Sequence, residues 1–220
     1  MAGDGIEREF KLMLRDAAER ARIEALLPRP RRLLRQRNIF LDTEDGRLAA
    51  ARLTLRLREE NAAWLLTAKG PPLAAPGALS AREEAERAVV PALAAHLAAG
   101  TADPLPALGR AQPAEVAARL ARRIAAAADG RPVRPAGGFR NERTEVEITL
   151  PCGAAAVLAL DRSLMPDGAE QHELELEVHR RAAASAAAWL GELLARAEVP
   201  ARAARSKRSR YEASRRRGAA

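Results

Sequence analysis

The amino-acid sequence predicts an α+β protein: a closed antiparallel β-barrel with a polar interior, flanked by α-helices. Strand-like alternation fills both ends of the 220-residue chain, and an alanine-rich helical pattern fills its middle. Charged residues recur two apart in one alternating stretch after another, which places them on one face of each strand. On several strands that face carries a single sign and the opposite face carries leucine, whereas a solvated face usually mixes Thr, Ser, Gln and Lys. A barrel holding its charged faces inside and packing its leucine faces outward against helices accounts for this segregation.

Residues 6–14 alternate as a strand and put Glu7, Glu9 and Lys11 on one face. Carboxylates about 7 Å apart on one strand face repel, so something cationic must lie opposite. Asp16 is placed to cap a helix over residues 17–27, which Pro28 and Pro30 end. Residues 32–41, 52–59 and 64–69 read as strands parted by the turn pairs Asp45-Gly46 and Glu60-Asn61. Residues 70–77 form a Pro/Gly loop, and alternation returns over 80–90. Residues 91–129 have helical spacing with a break near 100–106. Strand patterning resumes over 133–150, 155–160 and 171–179, with Gly137-Gly138 as a bend or bulge. Residues 181–198 close the pattern as a helix that Pro200 ends.

The charged faces suggest a definite chemistry. Arg56 with Arg58, Thr67 with Lys69, and Arg82 with Glu84 and Glu86 repeat the spacing of two. Glu173, Glu175 and Glu177 form a ladder, with Leu174 and Leu176 facing the other way. Clustered Arg and Lys match a polyanion with several phosphoryl groups, because guanidinium forks chelate phosphate oxygens and lysine adds a point charge. Clustered Glu and Asp suit a hard divalent cation that bridges to phosphate, Mg²⁺ or Mn²⁺. Together they describe phosphoryl transfer or hydrolysis without a covalent nucleophile.

Composition excludes several other classes. Residues 201–220 carry eight basic side chains against Glu212 alone, so all but one unit of the net +8 charge lies there and the body is nearly balanced. A generic nucleic-acid surface is therefore not expected, and residues 212–220 read as a basic, disordered tail. The lone Cys152 rules out an internal disulfide framework and a multi-cysteine zinc site. No stretch approaches the ~18 apolar residues of a membrane span, so a soluble, cytoplasmic protein is expected, as a monomer or homodimer. His96, His172 and His179 lack metal-ligand spacing and read as surface or helix-flanking residues. Trp64 and Trp189 are expected to pack the barrel exterior against helices, and no Gly-rich phosphate loop is present.

Taken in order, these motifs resemble the CYTH domains, or triphosphate tunnel metalloenzymes. Glu7-Arg8-Glu9-Phe10-Lys11 resembles the family's ExExK, and Asn38 to Thr43 its aromatic strand ending in Asp-Thr. Leu55-Arg56-Leu57-Arg58 is similar to LRxR, Thr67-Ala68-Lys69-Gly70 to TxKG, and Arg82 to Glu86 to RxExE. Arg143 sits at the family's phosphate-binding arginine, although Val146 stands where an aromatic residue is commoner. Leu160-Asp161 resembles LD, Glu173 to Glu177 resembles ExExE, and Ser206-Lys207 resembles the late Ser-Lys.

The resemblance implies an eight-stranded antiparallel barrel over residues 1–211, whose tunnel hydrolyses linear triphosphates with Mg²⁺ or Mn²⁺. Lys11, Arg56, Arg58, Lys69, Arg143 and Lys207 would contact phosphates, and Arg82, counted with this substrate-binding set, would with Glu84 brace the wall. Glu7, Glu9, Asp161 and two of Glu173, Glu175 and Glu177 would hold metal or orient water. Glu7, Glu9 and Lys11 form the catalytic set, with Lys11 first a phosphate ligand and second a general base. The ELELE ladder and the Ala/Arg-rich composition resemble bacterial inorganic triphosphatases, here without their helical CHAD domain. Alternatives are thiamine triphosphate hydrolysis, a class IV adenylate cyclase acting on ATP, and a non-catalytic polyphosphate- or nucleotide-binding module.

Overall fold

The computed structural model describes residues 4–75 and 78–218. Its strands are β1 (Ile6–Leu14), β2 (Arg32–Asp42), β3 (Thr54–Glu60), β4 (Ala63–Leu73), β5 (Leu79–Val89), β6 (Arg134–Thr149), β7 (Ala155–Leu164) and β8 (Glu170–Glu177). They close into an antiparallel barrel in the order β1-β5-β4-β3-β2-β6-β7-β8. The α-helices among the described residues are α1 (Ala17–Leu26), α2 (Arg47–Ala50), α3 (Pro91–Ala99), α4 (Leu105–Leu108), α5 (Ala114–Ala128), α6 (Ala183–Arg196), which a 3-10 turn over Arg180–Ala182 precedes, and α7 (Lys207–Gly218). Each alternating stretch of the sequence forms a strand. β4 runs on to Leu73 through Pro71 and Pro72, whose fixed φ suits extended backbone. Residues 76–77 of the expected loop lie outside the described residues. No helix is long and apolar enough to cross a membrane among the described residues.

The chain divides into two compact units. One is built on Gln36–Leu73 and Arg82–Phe139, the other on Glu7–Arg35, Ala74–Ala81 and the chain from Arg140 onward. In the second, β1 pairs with β8, β8 with β7 and β7 with β6. The apolar faces of these strands, with Phe10, Leu12, Val146, Leu158, Leu160, Leu174 and Leu176, pack against Ile23 of α1 and against Ala186, Leu190, Leu193 and Leu194 of α6. Trp189 lies against this core, as expected. Fully burying one such leucine contributes about 1.5–3 kcal/mol, which fixes the leucine face outward on the helices and leaves the alternate residues inward.

Helix α1 begins with the Asp16 cap. Asp16 Oδ1 accepts from Glu19 N at 2.9 Å while Glu19 Oε2 accepts from Arg15 N, one residue before the cap, at 2.7 Å, a reciprocal pair akin to a capping box. The same buried Glu19 receives Arg202 Nη1 at 2.7 Å and Nη2 at 3.1 Å. Arg202 sits in a segment laid along β1, where Met13 N donates to Arg202 O at 2.8 Å and Ala204 N to Lys11 O at 3.1 Å. The Arg202 hydrogen bonds hold the Glu19 carboxyl below its ordinary pKa against the opposing effect of burial. A carboxylate with a depressed folded pKa stabilises above its unfolded value, and that contribution is lost as pH falls through the folded value. Glu19→Gln is therefore expected to lower the unfolding free energy by about 1–3 kcal/mol at pH 7. Denaturant melts should find the deficit shrinking below pH 4; a deficit equal at pH 7 and pH 2 would remove the ionised pair.

Residues 212–218, expected as part of a disordered tail, are helical, whereas 219–220 lie outside the described residues. Ser206 Oγ accepts from Ser209 N at 3.2 Å at the start of α7. Tyr211 (2% exposed) and Ser214 (0%) are buried, and Arg208 bonds Glu212 one turn on at 2.7 Å. Tertiary contact, not intrinsic propensity, orders this strongly polar helix.

In the first unit the apolar faces of β2–β5, including Ile39, Leu41, Leu55, Leu57, Leu66 and Ala85, pack against α3 and α5, with Trp64 at the edge of this core. Asp42 acts here as a cap. Its Oδ1 accepts from Thr43 N and Leu48 N, both at 2.8 Å, and its Oδ2 from Ala49 N at 3.1 Å, which anchors α2. Gly138 explains its place in the sequence by close approach: a Cβ there would lie 1.9 Å from the Asn38 carbonyl oxygen. The expected bend is thus a point where two backbones meet and no side chain fits.

Candidate active site

Period-two alternation turns Lys11 of β1, Arg143 and Glu145 of β6, Asp161 of β7, and Glu173 and Glu175 of β8 to the face opposite the leucines. Register then brings them together. Lys11 lies across from Glu175, Arg143 across from Asp161, and Asp161 across from Glu173. Asp161 (0% exposed), Glu173 (1%) and Glu175 (8%) each offer an oxygen within 4.8 Å of the others, and no other metal-sized acidic group occurs among the described residues.

Four cations offset this density of negative charge. Lys207 Nζ, at the first residue of α7, lies 2.8 Å from Asp161 Oδ2, 2.6 Å from Glu173 Oε2 and 2.6 Å from Glu175 Oε1. Arg143 forks onto Asp161 through Nε at 2.8 Å and Nη2 at 2.7 Å, and also bonds Glu175. Lys11 Nζ is 2.8 Å from Glu9 Oε1 and 3.4 Å from Glu175 Oε1, and Arg210 Nη2 reaches Glu173 Oε2 at 2.6 Å. At an effective dielectric of about 20, carboxylates at this separation repel by about 3–4 kcal/mol per pair, while each such ammonium contact attracts by about 6. One bridging lysine therefore reverses the sign of the cluster.

Ionisation follows from this balance. Burial alone would raise Asp161 and Glu175, but Arg143 and Lys207 at Asp161, and Lys207, Lys11 and Arg143 at Glu175, hold both below the ordinary carboxylate range. Burial would likewise lower Lys11, Lys207 and Arg143. The surrounding carboxylates, Glu175 and Glu9 first at Lys11 and Asp161 first at the other two, raise all three instead.

One polar atom in the cluster is left over. Glu173 Oε1 is buried and accepts no hydrogen bond. A buried carboxylate oxygen without a donor is costly, and three hard oxygen ligands around it are the donor set that Mg²⁺ or Mn²⁺ prefers. The residues fit a divalent cation held by Asp161, Glu173 and Glu175. Of the three ladder glutamates, the structure joins Glu173 and Glu175 to Asp161 and leaves Glu177 exposed at the end of β8, across from Glu9. Glu9 is buried and Glu7 half-buried on the strand of Lys11, outside the three-carboxylate group.

In the first unit Arg56 and Arg58 of β3 are half-buried on the face opposite Leu55 and Leu57. Arg58 Nη1 is 3.3 Å from Glu60 Oε2, and its Nε is buried without a hydrogen-bond partner. Lys69 Nζ lies 3.3 Å from Glu84 Oε1, and Arg82 is half-buried on β5. Glu84, expected to brace the wall with Arg82, also contacts Lys69.

Sequence reasoning passed over Arg210 and Asn141. Arg210 is buried against Gln171 Oε1 at 2.6 Å as well as Glu173. Asn141 Nδ2 donates to Asp161 Oδ1 at 2.7 Å, and Ser163 Oγ donates to Asn141 Oδ1 at 2.9 Å. Asn141 precedes Arg143 by two and so shares its face, a legible signal. Arg210 follows Lys207 by three, which signals a shared face only once the segment is known to be helical. His172 corrects a further expectation: it is 5% exposed, with Nε2 3.0 Å from Glu170 Oε1, and burial lowers its pKa.

A closed eight-stranded antiparallel barrel whose strands carry charge on one face and leucine on the other, with a buried carboxylate and lysine cluster, defines the triphosphate-tunnel class. The chain belongs to the CYTH domain family, whose model matches residues 5–210. Its structure is similar to HpAC1 from Hippeastrum, an adenylyl cyclase candidate described as having a dominant triphosphatase activity. The two are 26% identical, with a TM-score of 0.75 over 94% of this chain and 95% of that one. An adenylate cyclase candidate from Bacillus halodurans shares the fold at 20% identity, with a TM-score of 0.63 over 94% of this chain and 98% of that one. No curated protein matches the chain.

Proposed function

We propose that this protein is a divalent-metal-dependent triphosphatase that hydrolyses the terminal phosphate of a linear triphosphate, with inorganic triphosphate as its first substrate. The observation that carries the reading is the three-carboxylate group with the open Glu173 Oε1 beside Lys11, Arg143 and Lys207. The triphosphatase activity described for HpAC1 supports the same reaction class. A bound Mg²⁺ or Mn²⁺ would supply Lewis-acid polarisation of phosphoryl oxygens and neutralise developing charge.

The protein's own residues divide the remaining work. Asp161, Glu173 and Glu175 hold the metal, and Glu7 and Glu9 supply further ligands or orient the attacking water. Lys11 and Arg143 stay cationic at neutral pH because carboxylates surround them, so both donate N–H groups to phosphate oxygens. In this reading Lys11 acts as a charge-neutralising donor ahead of a general base. Arg56, Arg58, Lys69 and Lys207 complete the phosphate ligands, and the unsatisfied Arg58 Nε supports that assignment.

The test is a substrate panel of inorganic triphosphate, thiamine triphosphate and ATP, each with Mg²⁺ and with Mn²⁺, scored for phosphate, pyrophosphate and cyclic AMP. Phosphate from inorganic triphosphate is expected as the fastest product and is expected to vanish with EDTA. Turnover that survives full chelation would remove the metal role, and cyclic AMP as the main product would make the protein a cyclase.

A further inference from the structure

The position of the Lys207 ammonium has a consequence for metal loading. Its three contacts fall on one oxygen of each of Asp161, Glu173 and Glu175, the same three side chains that form the metal-sized group. An ammonium has three N–H donors, and here each meets one carboxylate. The charge is buried, with 11% of the Lys207 side chain exposed. A divalent ion needs those oxygens at about 2.0–2.6 Å, which leaves no room for a nitrogen hydrogen-bonded to all three.

We propose that Lys207 and the divalent cation compete for one position, so that metal loading displaces the ammonium and loosens the first turn of α7. Lys207 is then a tethered stand-in for the metal. It keeps the carboxylates collapsed in the metal-free protein and, once displaced, is freed to meet a phosphate. The remaining contacts suit such an exchange. Arg143 keeps its fork on Asp161 and its bond to Glu175, Asn141 keeps Asp161 Oδ1, and Arg210 keeps Glu173 Oε2, so all three carboxylates stay held when Lys207 leaves. The first turn of α7 is also tied to the barrel by the buried Arg210, on Glu173 Oε2 and Gln171 Oε1 at 2.6 Å, so losing the Lys207 contacts loosens the turn without detaching it. Ser209 N bonds Ser206 Oγ and Arg210 N bonds Ser206 O at 3.0 Å, both local to the turn. Coupling of this kind is reciprocal: what metal does to α7, α7 must do to metal affinity.

The competition presupposes the metal reading above, and Mn²⁺ alone separates the two. Free Mn²⁺ is counted by electron paramagnetic resonance during titration of the wild-type protein and of Lys207→Met, without substrate. The variant is expected to bind Mn²⁺ at least tenfold more tightly. Equal or weaker binding by a folded variant would overturn the competition, whereas no binding by either protein would overturn the metal site and the competition with it. Because Lys207→Met can fail to fold, hydrogen exchange over residues 205–212 of the unmodified protein gives a second measure. Mn²⁺ is expected to speed exchange there at least tenfold; unchanged or slower exchange would overturn the proposal.

Discussion

Asp161→Asn is expected to reduce metal-dependent triphosphate hydrolysis by about 10²–10³-fold, the scale of loss when one preorganised electrostatic contact is removed from an active site. Asp161 is fully buried and serves three neighbours at once: Arg143 through both oxygens, Lys207 through Oδ2, and Asn141 through Oδ1. The amide keeps the shape but offers one acceptor where the carboxylate offers two, and it removes a unit of charge between two buried cations. Breaking a buried ion network by removing one partner costs about 3–5 kcal/mol, so a lower Tm should accompany the kinetic loss. Steady-state kinetics with saturating Mn²⁺, together with a denaturant melt, would check both. A folded variant that keeps wild-type kcat/KM would remove Asp161 from the site.

Ending the chain after Ser206 is expected to cost activity on the same scale, about 10²–10³-fold, because Lys207 and Arg210 leave together. Glu173 then loses both hydrogen-bonded cations, and Glu175 keeps only Lys11 and Arg143. Ending it after Tyr211 retains both cations and the buried tyrosine. That shorter deletion still removes Ser214, whose Oγ accepts from Asp167 N at 3.2 Å, and Arg217, whose Nη2 lies 2.8 Å from Asp167 Oδ2. A cost of about 1–3 kcal/mol in stability is expected there, with kcat/KM within tenfold of the full chain. Equal kinetic losses from the two deletions would mean that α7 acts through its far end and not through Lys207 and Arg210.

The strands were legible because period two is strict wherever one face is buried in leucine. Leu174 and Leu176 between Glu173, Glu175 and Glu177 state both the strand and its inward face. Where two signals overlap, the sequence is ambiguous: Glu177 repeats the ladder's spacing, yet β8 ends there and it is exposed. Helix α7 was illegible for a different reason. It has no apolar stripe, and its order comes from Tyr211, Ser214 and buried arginines meeting groups that the sequence places far away. Arg210 was hidden with it. Asp42 looked like part of a family motif and proves to cap α2, a role that needs the chain reversal after Thr43 to be known first.

The pairing of β1 carries a consequence for how the chain is made. β1 takes β8 as a partner, Glu9 against Glu177, and takes Arg202 and Ala204 along its length. β1 thus waits about 160 residues for β8, roughly 8–30 s at ordinary elongation rates. Over that time its backbone N–H and C=O groups on the β8 side form an open edge, the kind that recruits foreign strands. The alternating charges of Glu7, Glu9 and Lys11 lie on this strand, and charge on an unpaired edge disfavours pairing with foreign strands.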